Sequence, residues 1–288
     1  MAVKRIPWKE KRIYRKENKA LFYLYHTIAG RLVLRVVASR TVSRICGAFF
    51  DSALSKPMIP LFIRKHDIDM ADYMQTKFSC FNAFFTRQIK PELRPISDDP
   101  EDLVSPCDGL LSAYHISDGT ILPIKHSTYT ISHLLGDDPI AQKYDDGVCL
   151  VFRLCVDNYH RYCYFDSGRK GENVFLSGML HTVRPVALAR YPVFVRNCRE
   201  YTVMETENFG TVTQVEVGAM LVGEIENFQS TGSFVRGQEK GLFRYGGSTV
   251  VLLFEKGRVK IPDEIFEDTA QNMENAVQMG QVIGQRTF

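Results

Sequence analysis

Four side chains in this 288-residue sequence have the types needed to do chemistry together: Asp108, His160, His181 and Ser248. Asp108 lies in Ser105-Pro106-Cys107-Asp108-Gly109, where an Asp-Gly pair by itself marks a turn. His160 ends the polar cluster Asp157-Asn158-Tyr159-His160, after the apolar run from Val148 to Val156. A histidine there serves equally as an acid–base group or as a hydrogen-bonded structural residue. His181 follows a second apolar stretch, in Leu180-His181-Thr182. Ser248 stands in Arg244-Tyr245-Gly246-Gly247-Ser248-Thr249, just before the run Val250 to Phe254. An acid, an imidazole and a hydroxyl are the parts of a nucleophilic triad. The glycines offer Ser248 another role. Glycine adopts backbone conformations closed to other residues, so this corner can hold a strained peptide with a hydroxyl beside the preceding carbonyl. Such a serine would attack its own chain. On the stretch alone, a tight turn before a buried strand explains the residues as well.

Other chemistries lack their signatures. The sequence has no Walker-type loop, no Gly-x-Gly-x-x-Gly after a strand and no His-Glu-x-x-His. Its seven cysteines are odd in number and none has Cys-x-x-Cys spacing, so no metal site is expected and the compartment reads as reducing. The basic start is not followed by a clean apolar stretch and a small-residue cleavage site, so no signal peptide is expected.

The elements that must position these residues fall into two parts. The first 20 residues carry eight Lys or Arg and two Glu, a local charge of +6 in a chain whose total is +3. Residues 8–19 read as a basic helix. Residues 21–38 are apolar but contain Arg31 and Arg35, which share one helical face opposite Leu32, Val33, Val36 and Val37. Two arginines argue against a spanning helix. The pattern, ending near Ser39, fits a helix lying on an anionic membrane or one packed on its own domain. A basic segment leading straight into an apolar helix favours a membrane over nucleic acid. Pro57 and Pro60 set a boundary, giving a helical membrane-associating region over 1–60 and a catalytic domain over 61–288.

Within the second part a helix is expected from Ile68 to Ser79, followed by a core aromatic cluster at Phe81, Phe84 and Phe85. From residue 103 the pattern turns to strands: 148–156, 174–180, 193–195, 201–205, 211–217, 219–222 and 250–254. Turn signals fall at Asp166-Ser167-Gly168, Asn208-Phe209-Gly210 and Gly246-Gly247. A last helix is expected from Asp263 to Met279, stopped by Gly280. The fold class is α+β, with a mainly antiparallel β-rich core.

The pieces together resemble the bacterial phosphatidylserine decarboxylases, which process themselves and carry a pyruvoyl group. The resemblance runs from about Phe81 to Gly284. It rests on Phe81-Asn82 to Pro95, Ser105 to Gly109, Asp157 to Arg161, Val217 to Gly223, Arg236 to Gly241, Tyr245 to Thr249 and Met279 to Gly284. It implies that the Ser248 hydroxyl attacks the Gly247 carbonyl, that the chain is cut between Gly247 and Ser248 into a β and an α chain, and that residue 248 becomes the pyruvoyl group. That group would form a Schiff base with phosphatidylserine and accept electrons as CO2 leaves, yielding phosphatidylethanolamine. The resemblance makes Asp108 the acid that orients a histidine, Ser248 the nucleophile, and His160 the first histidine of a His-x-x-His pair tied to decarboxylation. It also implies a homodimer and peripheral attachment to the cytoplasmic side of the cell membrane. Lys125 to Tyr129 and Leu134-Leu135 match a segment near the family's active site, and read equally as a loop with an apolar cap.

One position departs from the pattern: Cys163 replaces the second histidine, the family's usual base for the serine. A thiol near ~8.5 is mostly protonated at neutral pH, whereas an imidazole near ~6.5 is largely free base. Either His160 serves both steps or another histidine enters, with His181 the candidate. The alternative function is a serine hydrolase using Asp108, a histidine and Ser248. Against it, Ser248 precedes a strand and has no glycine two residues later.

Overall fold

The computed structural model describes residues 19–117, 120–124, 127–182, 193–219, 224–245, 248–271 and 273–287. Residues 8–18 of the expected basic helix, Lys125-His126, the Gly246-Gly247 corner and residues 220–222 lie outside them.

The expected helix over 21–38 forms as two: α1 (Lys19–His26) and α2 (Ile28–Val37). Thr27 breaks them and caps α2, its hydroxyl accepting from the Gly30 N–H at 2.9 Å. Gly30 lets α2 fold back tightly, because a Cβ there would lie 2.2 Å from the Tyr23 carbonyl oxygen. The helix ends where expected: Ser39 caps the next one, α3 (Arg40–Asp51). The apolar residues of α2 divide. Leu34 is buried with Tyr25 and Ala38 against the sheet, whereas Ile28, Leu32, Val33 and Val36 stay exposed. No helix among the described residues is long and apolar enough to cross a membrane. The proline boundary begins α4 (Met58–His66), with Pro60 in the first turn where a missing N–H costs nothing.

The helix expected over 68–79 does not form. Asp69 caps a single 3-10 turn, Met70–Asp72, and then Tyr73 bridges to Ile89 while the Gln75 amide bonds Gln88. Pairing with a distant segment outweighs local helix propensity here. Phe81, Phe84 and Phe85 form α5 (Phe81–Phe85) and bury with Phe50 of α3, as the aromatic cluster suggested.

The strands are β1 (Asp102–Val104), β2 (Gly109–Ser117), β3 (Thr120–Ile124), β4 (Ser127–Thr130), β5 (Val148–Leu154), β6 (Arg161–Cys163), β7 (Gly168–Leu176), β8 (Arg199–Thr206), β9 (Gly210–Val217), β10 (Ile225–Asn227), β11 (Gly232–Phe234), β12 (Glu239–Phe243), β13 (Ser248–Phe254), β14 (Val259–Lys260), β15 (Asn275–Val277) and β16 (Val282–Arg286). The main sheet has the order β11-β7-β8-β9-β13-β5-β2-β3-β4, with β15 also paired to β2. Two small sheets, β1-β16-β14 and β10-β12-β6, flank it. Every ladder among these strands is antiparallel. The protein is α+β with a sheet-rich core.

β13 is the centre of this core, and its alternation defines two sides. Val251 and Leu253 pack in one apolar cluster with Tyr25, Leu34, Val215 and Val217. Val250, Leu252 and Phe254 pack in the other with Phe152, Tyr162 and Phe243. All five are essentially fully buried, and burying each contributes about 1.5–3 kcal/mol.

Two further expectations give way to packing. Val193 to Val195, β-branched and aromatic, lie in a four-residue helix, Val193–Arg196, because one helical turn buries Val193 and Phe194 in the first cluster. The last helix stops at Ala270 instead of Met279. Its Thr269 hydroxyl takes the Ala113 N–H, and residues 275–277 then pair with Gly109–Leu111 to cover the edge of β2.

Candidate active site

Ser248 is the first residue of β13, paired with Leu154 of β5, while Thr249 pairs with Val217 of β9. It is fully buried, and its Oγ has no hydrogen-bond partner among the described residues. Leaving a buried hydroxyl unsatisfied costs about 1–3 kcal/mol, so such a group in a folded core calls for a functional reason. Residues two apart on a strand share a face, so the Ser248 side chain points to the side of Val250 and Leu252.

His160 lies on that side, immediately before β6, whose Tyr162 belongs to the same cluster. The imidazole is fully buried and lies against Phe85, ring centroids 4.2 Å apart. Phe85 in turn meets Tyr245 at 5.0 Å, and the His160 carbonyl accepts the Phe243 N–H at 2.9 Å. The aromatic floor thus joins His160 to the segment leading into Ser248. His160 Nδ1–H donates to the Asn158 carbonyl at 2.9 Å. In the neutral ring that bond puts the lone pair on Nε2, the form a general base needs.

Asp108 is held in a buried ion pair. Arg94 Nε and Nη2 donate to its two oxygens at 2.8 and 2.6 Å, and the Met279 N–H donates to Oδ1 at 2.9 Å. The fork is bidentate and mostly buried. Met279 is delivered by a turn at Gly280, whose φ of +83° and 2.4 Å approach of a would-be Cβ to the Pro95 oxygen exclude other residues. The Gly280 N–H binds the Ser105 carbonyl and the Cys163 N–H binds the Pro106 carbonyl, both at 2.9 Å, which fixes the loop before Asp108. The Asn158 carbonyl fixes Nδ1 of the His160 ring. The Asp108 charge is still felt nearby, adding to the burial that raises the Tyr159 hydroxyl and the Cys163 thiol.

Cys163 is fully enclosed, and burial pushes its thiol up to about 12. All seven cysteines are free thiols. No group of three or more His, Cys, Asp or Glu among the described residues is placed to hold a metal ion.

His181 sits on the other side of the sheet. Its Nδ1 is 3.4 Å from the Tyr25 hydroxyl, and Tyr25 packs in the first cluster. Asn197 clamps its backbone, accepting the His181 N–H at 2.9 Å and donating to the His181 and Gly218 carbonyls at 2.8 and 2.7 Å. Burial, and then the charge of Arg196, lower its pKa to about 4. Ser248 and His160 are thus on one side of the sheet and the His181 ring is on the other.

Sequence reasoning missed Arg94, Asn158 and Tyr245 as parts of the site. Arg94 lies 14 residues from Asp108, a separation that carries no periodic mark. Tyr245 left the one legible sign, an aromatic next to the glycine pair.

A sequence model described as phosphatidylserine decarboxylase matches residues 81–285. Among similar proteins, the phosphatidylserine decarboxylase proenzyme 2 of Clostridium acetobutylicum is 42% identical over 270 residues, covering 93% of this chain and 92% of its own. The phosphatidylserine decarboxylase proenzyme of Ruminiclostridium cellulolyticum is 41% identical over 273 residues, covering 93% and 91%. A Clostridium botulinum phosphatidylserine decarboxylase proenzyme is 38% identical over 275 residues, covering 93% of each. With a buried serine that has no partner among the described residues at the head of the central strand, and a match that spans nearly the whole sequence, the chain belongs to the phosphatidylserine decarboxylase family.

Proposed function

We propose that this chain converts phosphatidylserine to phosphatidylethanolamine and CO2, using a pyruvoyl group that it makes from Ser248 by cutting itself after Gly247. The observation that carries the reading is the Ser248 hydroxyl, buried without a described partner at the head of β13. A serine kept for attack on the peptide before it has this character. The relatives' names, all proenzymes, support the same reading.

The residues take the following parts. The Ser248 Oγ attacks the Gly247 carbonyl carbon, and His160 Nε2 takes the hydroxyl proton. The amide becomes an ester, and elimination across Cα and Cβ of residue 248 releases a β chain ending at Gly247 and leaves a dehydroalanine, which takes up water and loses ammonia to give the pyruvoyl ketone. Asp108, pinned by Arg94 and the Met279 N–H, contributes negative charge that favours the imidazolium of His160. His160 later returns a proton to the substrate carbon that has lost CO2. The new group's carbonyl supplies the electron sink for that loss. His181, with its ring against Tyr25 in the first cluster, is not the base for Ser248 in this reading. The serine hydrolase alternative is not favoured: the similar proteins are named decarboxylase proenzymes, and Ser248 heads a strand with no glycine two residues later.

Residues 1–60 form the membrane-associating part of this reading and 61–288 the catalytic domain. The support is the +6 charge of the first 20 residues and the exposed Leu32, Val33 and Val36 of α2. Attachment is peripheral, on the cytoplasmic side, and a homodimer follows from the family resemblance. Intact mass after expression tests the central claim. Two chains, the smaller running from a modified residue 248 to 288, support it, and a single uncut chain with esterase activity would replace it with the hydrolase.

A further inference from the structure

The peptide cut in the proposed reaction joins Gly247 to Ser248, and two glycines stand before the serine. Glycine gives the fold no side chain to grip, so the residues on either side are left to aim that peptide. On one side Ser248 is fixed in the ladder to Leu154. On the other, Tyr245 is held by α5 and by the end of α3. The Tyr245 N–H donates to Asn82 Oδ1 at 3.2 Å, and Asn82 Nδ2 donates to Asp51 Oδ1 at 3.0 Å. Asn82 is 2% exposed, so its amide is held away from bulk solvent. An acceptor toward the N–H and a donor toward the carboxylate is a demand that an amide meets and that neither an aspartate nor an apolar residue does. The Tyr245 ring completes the grip, its centroid 4.5 Å from that of Phe50, 5.1 Å from Phe81 and 5.0 Å from Phe85. Its neighbour Arg244 also reaches Asp51, at 3.3 Å.

The same short helix positions the base. Phe85 lies against the His160 ring at 4.2 Å, and the carbonyl of Thr86, the C-cap of α5, accepts the Arg161 Nε–H at 2.7 Å. At the other end of α5, the Phe81 N–H donates to Ser55 Oγ at 2.8 Å, and Ser55 is fully buried. One helical turn thus carries both the chain leading to the nucleophile and the imidazole that takes its proton.

We infer that Asn82 is a positioning residue for self-cleavage: it fixes the Tyr245 N–H, three residues before Ser248, so that the Gly247 carbonyl meets the Ser248 hydroxyl within reach of His160. The inference rests on the reading that the chain cuts itself after Gly247. It gives the helical part of the chain a share in maturation, because Asp51 of α3 orients the Asn82 amide. Misplacing reacting groups by about 1 Å costs about 100-fold in rate.

The test follows the rate at which freshly translated full-length chain yields the small chain, with melting temperatures taken on the same variants carrying Ser248→Ala. Asn82→Ala should slow cleavage about 10–100-fold. The pH midpoint of the rate should stay in place while the plateau drops, because the base is still His160. Asn82→Asp keeps an acceptor for Tyr245 but sets a second carboxylate against Asp51, and should slow cleavage by a similar factor. Adding Asp51→Asn to Asn82→Asp restores one donor and one acceptor between the two positions, and should bring the rate back to within about threefold of the wild type. Thr269→Val removes a different side-chain bond to the backbone, that to the Ala113 N–H, and should cleave like the wild type whatever it costs in melting temperature. Asn82→Ala cleaving within about twofold of the wild type overturns the inference. So does an exchanged pair no faster than Asn82→Asp alone, a moved pH midpoint with an unchanged plateau, or Thr269→Val slowing as much as Asn82→Ala. If Asn82→Ala does not fold, the exchanged pair decides. In all of these the wild type cuts itself and the proposed function stands, whereas a wild-type chain that never cuts overturns both.

Discussion

Replacing Cys163 by serine should leave self-cleavage nearly untouched, although this position is where the family usually keeps its base. The magnitude follows from burial. A thiol held near about 12 is ionised in roughly one molecule in 10,000 at pH 8. General-base catalysis contributes about 10²–10⁴-fold, so that scarcity cancels the benefit a thiolate would bring. His160, with Nδ1–H committed to the Asn158 carbonyl, presents Nε2 as the acceptor at any pH where the ring is neutral. The assay follows the appearance of the small chain, residues 248 to 288, after rapid translation, on a gel and by mass. Cys163→Ser should cleave within about twofold of the wild type, and His160→Ala should slow at least about 100-fold. The pH profile is an independent check. A thiolate base would make the rate climb about tenfold per pH unit up to pH 10, whereas an imidazole gives a plateau. The assignment of His160 fails if Cys163→Ser stops cleavage while melting like the wild type, or if the wild-type rate rises steadily to pH 10.

Arg94→Gln should destabilise the fold by about 3–5 kcal/mol in denaturant titrations, because it strands the buried Asp108 carboxylate with only the Met279 N–H; an unchanged midpoint would show that the fork is dispensable. His181 titrates near 4 in the folded protein and near 6.5 when unfolded, so the unfolded chain binds more protons between these values and stability should fall as pH drops from 6.5 to 4. Thermal melts of His181→Gln should show a shallower acid limb, and an identical limb would assign that loss to other groups. Val33→Asp/Val36→Asp, on the exposed part of α2, should cut binding to anionic vesicles in a flotation assay without slowing self-cleavage; full binding would move the membrane contact elsewhere.

The sheet was the most legible part of the fold. Val250 to Phe254 and, apart from Arg153, Val148 to Leu154 are apolar on both faces because both strands are covered on both sides, and a nearly continuous run announces that. Segments whose state is set by distant partners were not legible. Residues 68–79 have a helical pattern but are claimed by Ile89 and Gln88, and residues 275–277 leave the last helix to fill the edge of β2. At the site, Ser248 and its glycine pair stood out because the residue types are unusual together. The placing of Asp108 did not, since its true partners, Arg94 and the Met279 N–H, come from segments with no pattern in common. Nor could the sequence show that the Ser248 and His181 side chains are on opposite sides of one sheet, because strand parity relative to a remote loop is a property of the assembled fold.

The position of Ser248 has a consequence for how the protein is made. A cut just before β13 leaves the small chain holding the middle of the main sheet, hydrogen-bonded to β5 and β9 along its length, together with β14, β15 and β16. The two products of the proposed cut would remain one body, with no peptide bond between them. Before the cut, β13 finds its slot by an intramolecular search. Afterwards, any molecule that unfolds must recover a separate 41-residue partner, numbered 248 to 288, from solution against dilution, and the exposed slot is a template for aggregation. With the cut at this proposed position, folding would have to be complete before the chemistry starts, and the cut protein would persist through the height of its unfolding barrier and not through an equilibrium it can revisit. Maturation works as a ratchet: the molecule has one opportunity to assemble, and its working life begins when that opportunity closes.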